Sequence, residues 1–252
     1  MADGVTESLQ RELESWEGAG LCAGLWWRDD DAVTVTPQLN SLLAAADQAG
    51  VSIGIAVVPE KADATLAERL RATPAAIWQH GWRHHNYGGW SGEFGGSRDL
   101  NAMVADAKAG QAAMDAVFGS QGWQRVFVPP YHALAMSFKA EISRLGYLGL
   151  SAGSPLTQWV DGVLEVNAEI DIMNWHTRTF LGADIVAEML VEQLVDRRTG
   201  ARPMDEPIGI LSHHRLHDKK VFNFLGELFV FLTLSGGVRV LRADELFKDK
   251  AR

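Results

Sequence analysis

Apolar and polar positions follow two alternating patterns along the chain, one typical of buried strands and the other of amphipathic helices. Residues 51–59, VSIGIAVVP, form a continuous β-branched apolar run, which predicts a strand buried on both faces. Residues 36–50, TPQLNSLLAAADQAG, predict a helix with Thr36 as its N-cap, Pro37 at its first position and Gly50 as its end. Strands and helices joined by short connections are typical of parallel α/β folds.

The same alternation extends over most of the chain. Further strands are predicted at residues 21–28, 74–79, 123–129, 148–153, 163–175, 207–214 and 237–241. Further helices are predicted near residues 1–20 and at residues 64–73, 97–119, 137–147, 183–200, 221–236 and 243–248. Because composition shows no break, about seven β/α units predict a single domain over residues 1–252. Its expected fold is a distorted (β/α) barrel with about seven parallel strands, and an open doubly wound sheet is the alternative.

Composition narrows the class of protein. The formal net charge of -9 argues against nucleic acid as a partner, because binding to nucleic acid requires a basic surface. The polar N-terminus lacks the features of a secretory signal, and no apolar run reaches the ~20 residues of a membrane span. No transmembrane segment and a cytoplasmic location are therefore predicted. The single cysteine, Cys22, allows no disulfide framework, and its apolar surroundings predict burial.

Ionisable side chains concentrate directly after predicted strands. These groups are RDDD at 28–31, HGWRHH at 80–85, PPYH at 129–132 and HH at 213–214. Any one of them alone is also typical of a solvated turn or loop. Because the carboxyl ends of parallel strands meet at one edge of a sheet, their shared position favours a functional site there.

Two histidines and a carboxylate make a catalytic metal shell that leaves one position open for water. His80 and His84, four positions apart, supply the histidines, and the aspartates after the first strand supply the carboxylate. Zinc is the first expectation for such a shell, and iron, cobalt and nickel also accept it. A second carboxylate can take a proton from the water, and a further histidine can protonate a leaving group.

One glycine-rich segment offers aromatic rings to this site. Residues 87–99, YGGWSGEFGGSRD, predict a mobile loop in which Trp90 and Phe94 could stack on a sugar. A flexible loop without that role is the alternative.

The order of these motifs resembles that of the polysaccharide deacetylases, the NodB-homology carbohydrate esterases. The motifs are WRDDD (27–31), HGWRH (80–84), FVPPY (127–131), EIDIMNW (169–175) and LSH (211–213), and the resemblance spans residues ~25 to ~215. It implies a NodB-like barrel and metal-assisted removal of an N-acetyl group from an amino sugar. It also implies an N-acetylated sugar or glycan precursor as substrate, with a homo-oligomer possible.

The resemblance also implies roles for single residues. By position in the motifs, Asp29 matches the catalytic base and Asp30 the metal-binding carboxylate. His80 and His84 match the two remaining metal ligands, and His213 matches the catalytic acid. His214 and His217 are the alternatives for the acid.

Three further residues match the family pattern less closely, in roles around the substrate and the acid. Tyr131, preceded by Pro130, stands where a backbone N–H helps to hold the oxyanion in the family. Trp175 matches the apolar wall near the acetyl group, and Asp171 matches the carboxylate that orients the acid.

The chain departs from the family pattern at the third motif. Val128 stands where the family has an arginine that pairs with the base carboxylate and lowers its pKa. Arg28, Arg83 and Arg178 are the candidates to replace it. This departure keeps two further functions open besides a sugar deacetylase. One is a metal-dependent hydrolase of a non-sugar amide or other C–N bond, and the other is a catalytically inactive sugar-binding module.

Overall fold

The computed structural model of the protein describes residues 3–88, 92–96, 98–153 and 162–248. Trp90, one of the two aromatic residues predicted to contact a sugar, lies outside these residues. The helices are α1 (Asp3–Gly18), α2 (Pro37–Gln48), α3 (Ala64–Arg71), α4 (Leu100–Phe118), α5 (Met136–Lys139), α6 (Ala183–Arg198) and α7 (Lys219–Leu234). The strands are β1 (Ala23–Ala32), β2 (Ile53–Val57), β3 (Ala76–His80), β4 (Val126–Val128), β5 (Gly149–Leu150), β6 (Leu164–Glu165), β7 (Ile170–Asp171), β8 (Met173–Asn174), β9 (Thr179–Phe180), β10 (Ile208–Ser212) and β11 (Val238–Val240).

One curled sheet dominates the fold. Its continuous order is β6-β5-β4-β3-β2-β1-β10-β7, and β11 pairs with the beginning of β1. All of these pairings are parallel, whereas β8 and β9 form a separate antiparallel hairpin. The sheet forms a half-barrel with flanking helices, so the predicted distorted parallel barrel is confirmed. That residues 1–252 form a single domain stays a prediction.

Local sequence signals explain helix α2. The Thr36 side chain accepts a hydrogen bond from the backbone N–H of Leu39 at 3.0 Å, and Pro37 opens the helix. Such a cap stabilises a helix by about 1 kcal/mol. Gly50 follows the helix with φ of 66°, a left-handed conformation that glycine adopts without strain. The predicted start and end of this helix are therefore confirmed.

Four sequence predictions are wrong in detail. Cys22 is exposed, because it precedes β1 and lies outside the sheet. Phe94 is fully buried against Phe127 and Phe138, so it offers no face to a ligand. The helix predicted at 137–147 is only the four-residue α5, and turns follow it up to Gly146, whose φ is 79°. The stretch at 163–175 divides into three two-residue strands, β6, β7 and β8.

The two faces of the sheet pack differently because successive strand residues point to opposite sides. On the concave face, Trp26 packs edge-on against Trp78 at 5.7 Å between ring centroids, and Trp78 packs edge-on against Phe247 at 5.2 Å. On the other face, Trp27 stacks on Phe229 of α7 at 4.8 Å. The concave tryptophans fill the inside of the half-barrel below the carboxyl ends of the strands.

The C-terminal apolar helix belongs to the core. Most of the apolar side chains of α7 are buried in the main hydrophobic core. Within the described parts of the chain, no helix combines the length and apolar character needed to cross a bilayer.

Candidate active site

Alternation along β1 and β3 decides which side chains reach the carboxyl end of the half-barrel. Trp26, Arg28 and Asp30 share the concave face of β1, and Trp78 and His80 share that face of β3. The two tryptophans close the bottom, so the three polar side chains lie above them at the strand ends. All three are almost completely buried.

Asp31, His80 and His84 form the one group of potential metal ligands found among the described residues. One ligand atom from each lies within 4.8 Å of the others. Asp31 Oδ1 is 3.4 Å from His80 Nε2 and 3.1 Å from His84 Nε2. Two imidazoles and a carboxylate at this spacing suit a divalent transition metal.

The surroundings of His80 also suit a metal ligand. Its Nδ1 lies 3.0 Å from the carbonyl oxygen of Val128, and a carbonyl can only accept, so Nδ1 carries the proton. In the neutral ring, the lone pair of Nε2 then points toward Asp31, as metal-binding histidines require. Burial lowers the pKa of His80, but Asp30 and Asp31 outweigh it and raise the pKa. These two carboxylates thus make the position favourable for a positive charge.

The carboxylate of this cluster is Asp31, whereas the sequence predicted Asp30. The reason is a bulge at the end of β1, where the pairing with β2 shifts register between Asp29 and Ala32. Asp31 has φ of 70°, which turns its side chain toward the histidines. Burial raises the pKa of Asp31, but its contacts with His80 and His84 outweigh it and lower the pKa.

Asp30 pairs instead with Arg28. Arg28 Nε lies 2.9 Å from Asp30 Oδ1, and Nη2 donates a hydrogen bond to Oδ2 at 3.1 Å. Arg28 Nη1 also donates to Ser151 Oγ at 2.7 Å and to the carbonyl of Ala152 at 3.2 Å. Burial raises the pKa of Asp30, but Arg28 and then His80 outweigh it, so the pKa is lowered. Of the three candidates for the arginine missing at Val128, Arg28 is the one paired with a carboxylate of the site.

Asp29, predicted as the base, points to the opposite face of β1. Its carboxylate accepts hydrogen bonds from Ser212 Oγ at 2.6 Å and from the backbone N–H of His214 at 2.9 Å, and it pairs with His214 Nδ1. Trp27 Nε1 donates to Ser212 Oγ at 2.9 Å and extends this buried network. Both carboxylate oxygens of Asp29 therefore contact the turn after β10, on the face of β1 opposite to Asp30.

His213 lies beside Asp171, the carboxylate that the family resemblance pairs with the acid, and beside Trp175. Its Nδ1 is 3.9 Å from Asp171 Oδ1, and its ring stands edge-on to Trp175 at 4.6 Å. Trp175 Nε1 and the backbone N–H of Met173 donate to the Asp171 carboxylate at 2.6 and 2.9 Å. Burial raises the pKa of Asp171, against the opposing effect of His213. The three side chains thus form one unit on the side of the site away from β3.

The other two histidines of this turn have different partners. His214 is paired with Asp29 and is 1% exposed. His217 Nε2 accepts a hydrogen bond from the backbone N–H of His213 at 3.1 Å, so this nitrogen is unprotonated. Burial lowers the pKa of His217 to about 4. Both side chains support the turn that carries His213.

The PPYH segment covers the cluster from β4. The Tyr131 ring lies 4.6 Å from the His84 ring, and its hydroxyl donates to the carbonyl of His84 at 3.1 Å. Pro130 is buried beside Gly81, where an added Cβ would lie 2.5 Å from the proline ring. Tyr131 and Trp175 are 47% and 48% exposed, so two aromatic faces border the opening of the site.

Backbone strain concentrates at the same strand ends. A positive φ is rare for residues other than glycine and costs about 1–3 kcal/mol, so it persists where surrounding contacts enforce it. Five such residues occur in the described chain, and all but the last lie at the bulged end of β1 or in the segments after β3 and β4: Asp31, His84, Tyr131, His132 and Arg178.

Glu93 is a site residue that the sequence did not indicate. Its fully buried carboxylate accepts hydrogen bonds from the backbone N–H groups of Trp82, Arg83 and His84. It lies in the glycine-rich segment, where the spacing of residues carries no periodic signal. Contact with the loop of HGWRH arises only when that segment folds back onto β3.

Comparison with protein-family models gives no match, and comparison with curated proteins gives none either. Solved structures with the same fold do match. The chitin deacetylase of Colletotrichum lindemuthianum is 13% identical with a TM-score of 0.60, covering 92% of this chain and 90% of that one. A family 4 carbohydrate esterase from Streptomyces lividans, in complex with acetate, is 15% identical with a TM-score of 0.56, covering 86% and 91%.

A third structure was determined with a metal. The family 4 acetyl xylan esterase of Clostridium thermocellum, in complex with a cobalt ion, is 13% identical with a TM-score of 0.56, covering 89% and 90%. The similarity to all three extends over most of each chain at low sequence identity. The fold of this chain is therefore that of the family 4 carbohydrate esterases and polysaccharide deacetylases, as the order of its motifs implied.

Proposed function

We propose that this protein is a metal-dependent hydrolase that removes the N-acetyl group from an amino sugar in a saccharide or glycan precursor. The observation that carries the proposal is the Asp31, His80 and His84 cluster, with Asp30 beside it and His213 across from it. Such a set, on a fold shared with a chitin deacetylase, suits hydrolysis of an acetyl amide.

Asp31, His80 and His84 are the proposed metal ligands. The buried Oδ1 of Asp31 has no hydrogen-bond donor among the described residues, which fits an oxygen that binds a cation. When bound there, a divalent ion polarises the acetyl carbonyl and makes a water molecule acidic. Zinc is the first expectation, with iron, cobalt or nickel as alternatives.

Asp30, in place of Asp29, is the proposed base. It takes a proton from the water that attacks the carbonyl carbon, and Arg28 keeps its carboxylate ionised until then. His213 gives a proton to the amide nitrogen, which receives the electron pair of the breaking C–N bond. The products are acetate and a free amino sugar. Asp171, 3.9 Å from its Nδ1, orients the His213 ring.

The substrate surfaces are proposed from the exposed rings and the β4 turn. Tyr131 and Pro130 carry the backbone that helps to hold the oxyanion. Trp175 forms an apolar wall beside His213. Two half-exposed aromatic rings at one opening favour a sugar over a non-sugar amide, because apolar sugar faces stack on such rings. The cytoplasmic location and a homo-oligomer stay predictions.

Metal content and turnover together test the proposal. Wild-type protein should hold one equivalent of a transition metal, and Asp31→Ala and His80→Ala should lose it, as measured by elemental analysis of untagged protein. Acetate release from a panel of N-acetylated sugars and non-sugar amides then identifies the substrate class. Failure of the wild type to bind any metal after addition of zinc, iron, cobalt or nickel would refute the function. Full metal occupancy in Asp31→Ala would instead indicate that Asp30 is the metal ligand.

A further inference from the structure

We propose that Glu93 is a positioning residue for the metal site. Its buried carboxylate holds the backbone of residues 82–84 in the conformation that brings His84 to Asp31 and His80. The inference rests on the proposed metal site but concerns a residue outside the ligand set. It predicts that Glu93 acts on metal affinity through the main chain, without contact with the ion.

Three consecutive backbone N–H groups converge on this one carboxylate. Trp82 and His84 donate to Glu93 Oε2 at 3.0 and 3.2 Å, and Arg83 donates to Oε1 at 2.7 Å. Successive N–H groups that point at one anion form a concave nest, which favours a bound negative charge. Glu93 is 0% exposed, so water cannot replace the carboxylate without opening the loop.

The loop needs this support because of its backbone conformation. His84 has φ of 56°, which a histidine does not adopt without enforcement by its surroundings. Gly81 has φ of 56° too, and a Cβ added there would lie 2.3 Å from Glu93 Oε2. The carboxylate therefore fits against the main chain of Gly81 as closely as a side chain can. Without the Glu93 carboxylate, the N–H of His84 would lose the hydrogen bond that opposes relaxation of its backbone to an unstrained φ.

Glu93 is itself held through its own backbone carbonyl and that of the next residue. Arg98 Nη1 donates to the Glu93 carbonyl at 2.8 Å, and Arg98 Nη2 pairs with Asp106 of α4 at 2.7 Å. The next residue, Phe94, accepts a hydrogen bond at its carbonyl from the N–H of Ala135 at 2.7 Å. The carboxylate is thus held between α4 and the segment after β4. The position of the loop that carries His84 therefore depends, through this carboxylate, on α4 and on the segment after β4.

A metal-binding measurement on Glu93→Gln tests the proposal. Glutamine keeps the size of the side chain but turns one acceptor oxygen into an NH₂ group that faces backbone donors. We expect a zinc dissociation constant about 10- to 100-fold higher than that of wild type, measured by competition with a chelator of known affinity. Circular dichroism of the metal-free variant should remain that of a folded protein.

Glu60→Gln is the matched control. Glu60 pairs with the side chain of Arg83 at 2.8 Å, so it contacts the same loop, but both partners are substantially exposed. Its zinc dissociation constant should stay within about twofold of wild type. A comparable loss in both variants would mean that any charge near the loop matters, and would overturn the specific role of Glu93.

Thermal melting with and without zinc separates positioning from stability. The increase in Tm caused by zinc should shrink in Glu93→Gln. An unchanged dissociation constant, with an equal loss of Tm in both forms, would make Glu93 purely structural and overturn the inference. If Glu93→Gln does not fold, the shorter Glu93→Asp decides by the same two measurements. If the wild type binds another of the four metals but not zinc, the same measurements are made with that metal. Absence of binding of zinc, iron, cobalt and nickel in the wild type would instead refute the proposed metal site, and this inference with it.

Discussion

Replacing Arg28 by methionine should destabilise the metal-free protein by about 3–5 kcal/mol, because it leaves the Asp30 carboxylate buried without its cation. The side chains of Arg28 and Asp30 are 0% and 2% exposed, so solvent screens their interaction little. Methionine retains much of the apolar stem and removes the hydrogen bonds to Ser151 and Ala152. For a chain of this length, the loss corresponds to a decrease in Tm of about 6–20 °C.

A double-mutant cycle isolates the charge pair from those other contacts. Adding Asp30→Asn to Arg28→Met should recover about 1–3 kcal/mol, since a neutral amide costs less to bury than an unpaired carboxylate. The free energy of unfolding of all four proteins is measured by urea denaturation without metal, with unchanged m-values as evidence that the denatured state is the same.

An exposed arginine of the same region serves as the control. Arg83 pairs with Glu60 at 2.8 Å with 47% and 38% exposed side chains, so Arg83→Met should cost less than about 1 kcal/mol. The reasoning is refuted if Arg28→Met costs no more than Arg83→Met. It is also refuted if the double variant is less stable than Arg28→Met alone, because the carboxylate would then not depend on its arginine.

Asp30→Asn should lower kcat by about 10²–10⁴-fold with metal content unchanged, since the proposed base is lost. Asp29→Asn should instead lower the free energy of unfolding by about 1–3 kcal/mol, because its carboxylate accepts from three buried donors; a stability equal to wild type would contradict this. His217 has a folded pKa of about 4, below the ordinary 6.5 of an unfolded chain, so its contribution is complete above pH 6.5 and is lost as pH falls toward 4. His217→Gln should therefore flatten the pH dependence of unfolding over that range, whereas His176→Gln, at an exposed site, should not.

The elements with local signals were predictable. Thr36, Pro37 and Gly50 act on their own neighbours, so the bounds of α2 follow from the sequence alone. The parallel sheet follows from strand runs separated by helices. The end of α5 was not predictable, because turns after Lys139 depend on how Phe138 and Ile142 pack in the core.

The run of three aspartates shows why the sequence pointed to Asp30 for the carboxylate beside the two histidines, whereas Asp31 lies there in the structure. In a regular strand, Asp30 and Asp31 would point to opposite faces, so only one could serve the site. The bulge and the positive φ of Asp31 bring both to the same side. Nothing in three identical consecutive residues indicates where such a bulge falls. The alternation of Trp26, Arg28 and Asp30 does assign Asp30 to the concave face once the sheet is known.

Arg28 and Glu93 could not be assigned from sequence for another reason. Each acts through a partner that folding brings close, Arg28 through Ser151 and Ala152 and Glu93 through the loop after β3. The family pattern expects the arginine at Val128, on the same concave face but on β4, which β2 and β3 separate from β1. A cation can reach one carboxylate from either strand, so spacing along the chain does not determine which strand carries it.

The strained backbone at Asp31, His84, Tyr131 and His132 has a consequence for how the sequence can change. Glycine or asparagine at His84, Tyr131 or His132 would relieve about 1 kcal/mol of strain. A population selected in the laboratory only for heat resistance should therefore accumulate such replacements at these positions early. It would lose a proposed metal ligand or its covering ring while the fold improved. Ancestral or consensus design on this scaffold must therefore keep the residues at these positions unchanged. The replacements that raise thermal stability there remove side chains of the proposed site.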